Sequence, residues 1–197
     1  MIPSIFYAAF PNFIKLFIVE RSPLYQLKYC MRLNQDFYRQ EVLTIAPLLL
    51  GKQLVRQFDD GTQLRLTINE VEAYRGEEDL ACHARFGRTT RNSVMYQHGG
   101  VVYMYFIYGM YWMLNVVTGN HDFPEAVLVR GAGEFNGPGK LTKALQLDKT
   151  FYGEDLSTSQ RLWIEDAPRV ESYKTTPRIG INYAAKEWKD IHWRFTL

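Results

Sequence analysis

The sequence predicts an α+β fold: a single domain with a curved, mostly antiparallel sheet, surrounding helices and a protruding β-hairpin. Three observations lead there. Strand-like segments at 52–58 and from 62 onward are joined by one tight turn and the two halves of 101–117 by another, which favours antiparallel pairing. Helical patterns are confined to residues near 35–50 and to the stretch after Gly137. Finally, 197 residues with 47% apolar content suffice for one well-buried core, and no linker divides the chain.

Taken in order, the elements are these. Residues 1–30 stand apart: MIPSIFYAAFPNFIKLFIVE is apolar, is broken by Pro3 and Pro11, and lacks the charged start of a secretory signal. A weak anchor, an added helix and an upstream extension all fit. The extension is favoured, because MRLNQDFY from Met31 reads as the natural beginning of a domain spanning 31–197. The stretch QDFYRQEVLTIAPLLL suggests helix interrupted near Pro47. A strand over Lys52–Phe58 turns at Asp59-Asp60-Gly61 into a second strand from Thr62. Residues 75–100 form a long charged loop, which in a compact domain points to function. AVLVR at 126–130 reads as a short buried strand, and GPGKLTKALQL as a turn entering a helix. Trp163 and RIGINY from Arg178 suggest further strands.

Val101 to Val117 carries no charge. A membrane span needs about 20 predominantly apolar residues, and this run is both shorter and rich in Tyr and Trp. Its β-branched and aromatic content favours two strands, Val101–Ile107 and Met110–Val117, joined by the two-residue turn Tyr108-Gly109. Glycine accepts the positive φ of such a turn. Tyr108 then sits on a hairpin tip, where an aromatic ring is a candidate wedge.

The chemistry-bearing strand is LRLTINEVEAY, residues 64–74. Alternation puts Leu64, Leu66, Ile68, Glu70, Glu72 and Tyr74 on one face. Two readings stand: carboxylates at a sheet edge meeting water or Arg130, or a general base beside an aromatic wall, its pKa raised by burial. His83 is a surface or capping histidine, or part of a pocket. Asn115 is a structural hydrogen-bonder, or a reader of a ligand edge. Arg85, Arg88 and Arg91 lie in a segment without acids, so they are solvated surface or phosphate contacts. Tyr105 projects towards whatever the sheet encloses. A net charge of +2 does not by itself identify a nucleic-acid partner. Two cysteines and four scattered histidines argue against a disulfide framework and a zinc site, and for a reducing, cytoplasmic compartment. Such a pocket suits a flat heterocycle, with no metal and no cofactor.

Six motifs in order, EVEAY (70–74), GEEDLACH (76–83), RTTRN (88–92), YMYFIYGMYWMLN (103–115), VLVR (127–130) and GPGKLTKAL (137–145), make the chain resemble the alkyladenine (3-methyladenine) DNA glycosylase family from about Asp36 to Phe195. The resemblance implies a monofunctional glycosylase that flips alkylated or deaminated purines out of duplex DNA and hydrolyses the N-glycosidic bond. It implies Glu72 as general base with Arg130 beside it, and Tyr74, His83 and Tyr105 as the base pocket. Asn115 would disfavour the exocyclic amino group of guanine, and Tyr108 would fill the gap left by the flipped nucleotide. The expected partner is double-stranded DNA carrying damaged purines, bound by a monomer. Family chains continue past the segment matching Trp193–Leu197, with a backbone carbonyl that helps hold the catalytic water. The alternative that follows is a lesion-binding protein with impaired catalysis. A hydrolase of free nucleosides, using Glu70 with Glu72, fits less well, because both carboxylates lie on one strand face.

Overall fold

The computed structural model describes residues 31–197, and the expectations for residues 1–30 lie outside them. Helix α1 (Gln35–Tyr38) starts where the Asn34 side chain accepts from the Phe37 amide at 3.1 Å. Helix α2 (Val42–Leu49) follows. The expected break near Pro47 falls instead at residues 39–41, and α2 runs through Pro47. The reason lies in the hydrogen bonds. The Tyr38 carbonyl accepts from Gly119 at 3.0 Å, and the Val42 amide donates to the Glu125 carboxylate at 3.1 Å. The bond that would have continued one helix is thus replaced by two tertiary ones.

Strands β1 (Gln53–Gln57) and β2 (Gln63–Arg75) flank the expected Asp-Asp-Gly turn, where Asp60 accepts from the Thr62 amide and hydroxyl. The apolar run 101–117 forms β3 (Val102–Ile107) and β4 (Tyr111–Val117). Then come β5 (Glu125–Ala132), β6 (Phe135–Asn136), α3 (Pro138–Ala144), β7 (Leu162–Glu165), β8 (Lys174–Thr176), α4 (Lys186–Lys189) and β9 (Arg194–Thr196). The strands make one curled antiparallel sheet with the path β3-β4-β5-β2-β1-β7. This is the α+β architecture read from the sequence. Among the described residues no helix is long and apolar enough to cross a membrane.

The sheet has two working faces. On one, Val102, Met104, Leu114, Val116, Val127 and Val129 pack under α2 and α3 in the main core. On the other, Val101, Tyr103, Val117 and Ala126 pack with Cys82, Val94 and Met95 of the long 76–100 loop. Strand β2 departs from the simple alternation expected for it. Ile68 and Val71 both belong to the main core although they lie three positions apart. Register irregularities on either side of Glu70 in the β2–β5 pairing leave the ladder unshifted beyond them, and both strands turn over there. Glu72 and Tyr74 therefore leave the face of Leu66 and Ile68 and point to the opposite one.

RIGINY at 178–183 is not a strand. Its backbone is engaged elsewhere: the Ile179 amide donates to a side chain of β2 rather than to a ladder. The long loop closes against α1 at Gly99, where an added Cβ would sit 2.0 Å from the Tyr38 carbonyl oxygen. Gly99→Ala is therefore expected to lower unfolding stability by at least about 1–3 kcal/mol, as overpacking does, read as a drop in urea midpoint at unchanged slope.

Candidate active site

One row of paired residues crosses four strands: Tyr103 of β3 faces Asn115 of β4, which faces Leu128 of β5, which faces Glu72 of β2. Tyr103, Asn115 and Leu128 of this row, with their neighbours Tyr105, Met113, Ala126 and Arg130, form the floor of a cavity of about 260 Å³ that Tyr74, His83 and Ile179 also wall. Ala81, Met95, Ile181 and Tyr183 complete it from the two loops above the sheet. The lining is largely apolar and aromatic with few polar groups, as small-molecule sites are.

Glu72 ends the row just behind this lining, with none of its side chain exposed. Its Oε1 accepts the Ile179 amide at 2.7 Å and stands 3.4 Å from Arg130 Nε, and its Oε2 accepts the Tyr74 hydroxyl at 2.9 Å. Burial raises its pKa above the ordinary carboxylate range, and Arg130, the Ile179 amide, Tyr74 and Arg178 pull the other way. Arg130 Nε also donates to Glu70 Oε1 at 2.8 Å, as does Arg194 Nε. Burial alone would lower the Arg130 pKa, and the two carboxylates raise it.

His83 Nδ1 meets the Tyr103 hydroxyl at 2.8 Å, and its ring stands edge-on to Tyr105 at 4.4 Å between centroids. Burial, then the charges of Arg91 and Arg85, lower its pKa to about 4, so the imidazole is neutral at pH 7. Asn92 fixes the loop by donating to the carbonyls of His83 and Gly87. Buried Asn115 donates through its amide to the Tyr103 and Met113 carbonyls at 3.1 and 3.3 Å, while its side chain borders the cavity.

The hairpin tip differs in detail from expectation. Ile107 pairs with Tyr111, so the connection is three residues, Tyr108-Gly109-Met110, rather than two. Tyr108 takes φ 55° and Gly109 φ 67°. Positive φ is costly for a bulky aromatic, yet Tyr108 holds it while 76% exposed beside the cavity mouth.

The structure therefore gathers Arg130, Tyr74, His83, Tyr105, Asn115 and Tyr108 around one cavity, with Glu72 directly behind it against Tyr74, Ile179 and Arg130. The three loop arginines have different surroundings. Arg85 is sandwiched near the Phe86 and Tyr183 rings, Arg88 stands 3.5 Å from Asp122, and Arg91 lies over Tyr105. Sequence reasoning missed Tyr103, Ile179, Tyr183, Arg178 and Asp79. For Tyr103 the signal was present, since it alternates with Tyr105. For Ile179, Tyr183 and Arg178 it was hidden by reading 178–183 as strand, and for Asp79 by a partner 99 positions away. Among the described residues no group of three or more His, Cys, Asp or Glu side chains gathers as a metal site.

The chain matches the family described as "Methylpurine-DNA glycosylase (MPG)" over residues 36–135 and 132–197. Among curated proteins it is 40% identical over 184 residues to one from Psychrobacter cryohalolentis, covering 78% of this chain and 87% of that one. It is 39% identical over 192 residues to one from Natranaerobius thermophilus (85% and 96%), and 42% identical over 176 residues to one from Methanocella arvoryzae (79% and 87%). All three carry the name "Putative 3-methyladenine DNA glycosylase". A buried carboxylate bonded to the wall of an aromatic cavity thus coincides with a match over nearly the whole described chain: the chain belongs to the methylpurine-DNA glycosylase family, a family of DNA glycosylases.

Proposed function

We propose that the protein excises alkylated and deaminated purines, among them 3-methyladenine, 7-methylguanine and hypoxanthine, from double-stranded DNA. The single observation that carries this reading is Glu72, a fully buried carboxylate bonded to Tyr74 and Ile179 of an aromatic cavity whose mouth is flanked by the exposed Tyr108 hairpin. The target nucleotide rotates out of the duplex into the cavity, and Tyr108 takes its place in the stack. Ionised Glu72 accepts a proton from a water whose oxygen bonds the anomeric carbon. The carbon–nitrogen bond breaks, and its electron pair leaves with the base. A purine cation methylated at N3 or N7 becomes neutral as it departs, so it needs no strong acid.

The lining suits such a base. The rings of Tyr74 and Tyr105 offer π faces to a cation, an attraction of about 0.5–2 kcal/mol. A neutral His83 adds no repulsion, and Asn115 stands where a purine edge is read. Arg130 assists by holding Glu72 and bordering the reacting centre. Arg88 and Arg91, which are exposed, and Arg85, which is half-buried, are the candidates for DNA phosphates. The protein acts as a monomer without cofactor and leaves an abasic site, with no lyase step.

Glu72→Gln is expected to slow single-turnover excision of 3-methyladenine by about 10²–10⁴-fold while leaving lesion-duplex affinity nearly intact. Excision at the unmutated rate would overturn the assignment. In the pH profile, ionised Glu72 is the active form and its pKa is raised. The rate should therefore fall as pH drops through a midpoint above the ordinary glutamate value of about 4.3; an acid limb at or below that value would contradict the burial argument. Tyr108→Ala is expected to weaken binding to a lesion duplex by roughly tenfold or more, since loss of one base–aromatic stack costs about 1–3 kcal/mol. An electrophoretic or anisotropy titration at fixed salt reads it, and unchanged affinity would remove Tyr108 from the interface.

A further inference from the structure

One buried charge pair near the site touches neither the cavity nor solvent. Arg178 and Asp79 both have fully buried side chains and meet through two contacts, Nη1 to Oδ2 at 2.5 Å and Nη2 to Oδ1 at 2.9 Å. Arg178 Nη1 also donates to the Ala73 carbonyl at 2.9 Å. Its guanidinium lies over the Tyr74 ring at 4.7 Å and the Trp193 ring at 5.1 Å. Asp79 in turn accepts the Arg75 and Ala81 amides at 3.2 and 2.9 Å. The pair therefore ties the start of the 76–100 loop, strand β2 and the 178–183 segment to one point.

The consequence concerns Glu72. Apart from Arg130, two groups donate to that carboxylate: the Ile179 amide on Oε1 and the Tyr74 hydroxyl on Oε2. Arg178 is bonded to the first through the chain and lies against the ring of the second. A buried ion pair is a poor device for stability alone, because desolvation offsets most of its attraction. Here its geometry fixes both donors at once.

We propose that Arg178, clamped by Asp79, is a positioning residue that holds the Ile179 amide and the Tyr74 hydroxyl on the two oxygens of Glu72, keeping that carboxylate aimed and ionisable. The inference rests on the reading of Glu72 as general base. The charged and titratable groups around Glu72 are Glu70 and Tyr74 on its own strand, Arg130 from β5 and Tyr105 from β3. Arg194 from β9 reaches it through Glu70, and Arg178 stands with Asp79 behind it. Of these, Arg178 is the one whose removal frees both neutral donors.

The test uses the full chain with Arg178→Met, Arg178→Lys, Ile179→Pro and Glu72→Gln. Single-turnover excision of 3-methyladenine is followed against pH, beside lesion-duplex affinity and thermal unfolding. Arg178→Met is expected to lower the plateau rate on the order of tenfold and to move the acid limb upward, with affinity changed little. Arg178→Lys should restore part of both. Ile179→Pro deletes the amide donor at a half-exposed side chain and leaves the ion pair in place, so it decides the matter if Arg178→Met does not fold. It should shift the acid limb in the same direction. Adding either change to Glu72→Gln should cost nothing further. A wild-type pH profile in folded Arg178→Met or in Ile179→Pro would overturn the proposal, as would an equal loss in the Glu72→Gln background. Failure of the underlying reading looks different: Glu72→Gln itself would then excise at the unmutated rate.

Discussion

The structure is organised around the burial of one carboxylate. A charge with no exposure is strongly disfavoured unless donors replace the lost water, and Glu72 draws its donors from three separate pieces of chain. Arg130 comes from β5, Tyr74 from β2 itself, and the Ile179 amide from the segment before α4. Burial still prevails in the direction of the pKa shift. The balance leaves a group that is more basic than a solvated glutamate. Each donor also constrains its own element: the 178–183 segment, apolar enough to be a strand, spends an amide on Glu72 instead of on a ladder.

Much of this was legible in the sequence, and what was not has a definite cause. The Asp-Asp-Gly turn, the aromatic hairpin, the strand around AVLVR and the helix after Gly137 are all specified by neighbours in sequence, and they appear where the pattern puts them. Six of the seven residues read as pocket, base and wedge line one cavity, and Glu72 lies behind its wall against Tyr74 and Ile179. Two things were hidden. Alternation along β2 assumes an unbroken pleat, whereas the irregularity around Glu70 turns the strand over, a feature fixed by pairing with β5. The Arg178–Asp79 pair joins residues 99 positions apart, and no periodicity reports such a contact. The break between α1 and α2 is of the same kind, since distant Gly119 and Glu125 decide it.

The concentration of aromatic rings in β3 and β4 follows from the hairpin lying between two environments. Tyr103 and Tyr105 face the cavity side, while Met104 continues the main core and Phe106 stacks on Trp112 at 4.8 Å beyond its edge. Rings on both faces stiffen a hairpin that projects past the body of the protein. That stiffness accounts for a tyrosine being held at positive φ on the tip, where a flexible loop would relax.

The row Tyr103, Asn115, Leu128 and Glu72 runs across the strands rather than along one of them. Its steps are set by the hydrogen-bond spacing of a sheet, about 4.8 Å, a dimension that side-chain substitution hardly alters. The floor of the cavity is therefore a fixed ruler. Variation in what the cavity admits has to come from its roof, the 76–100 loop and the 178–183 segment, which can be rebuilt without disturbing a ladder. Within such an architecture the spacing of the floor and the shape of the roof are separate variables, one carried by the sheet and the other by the loops above it.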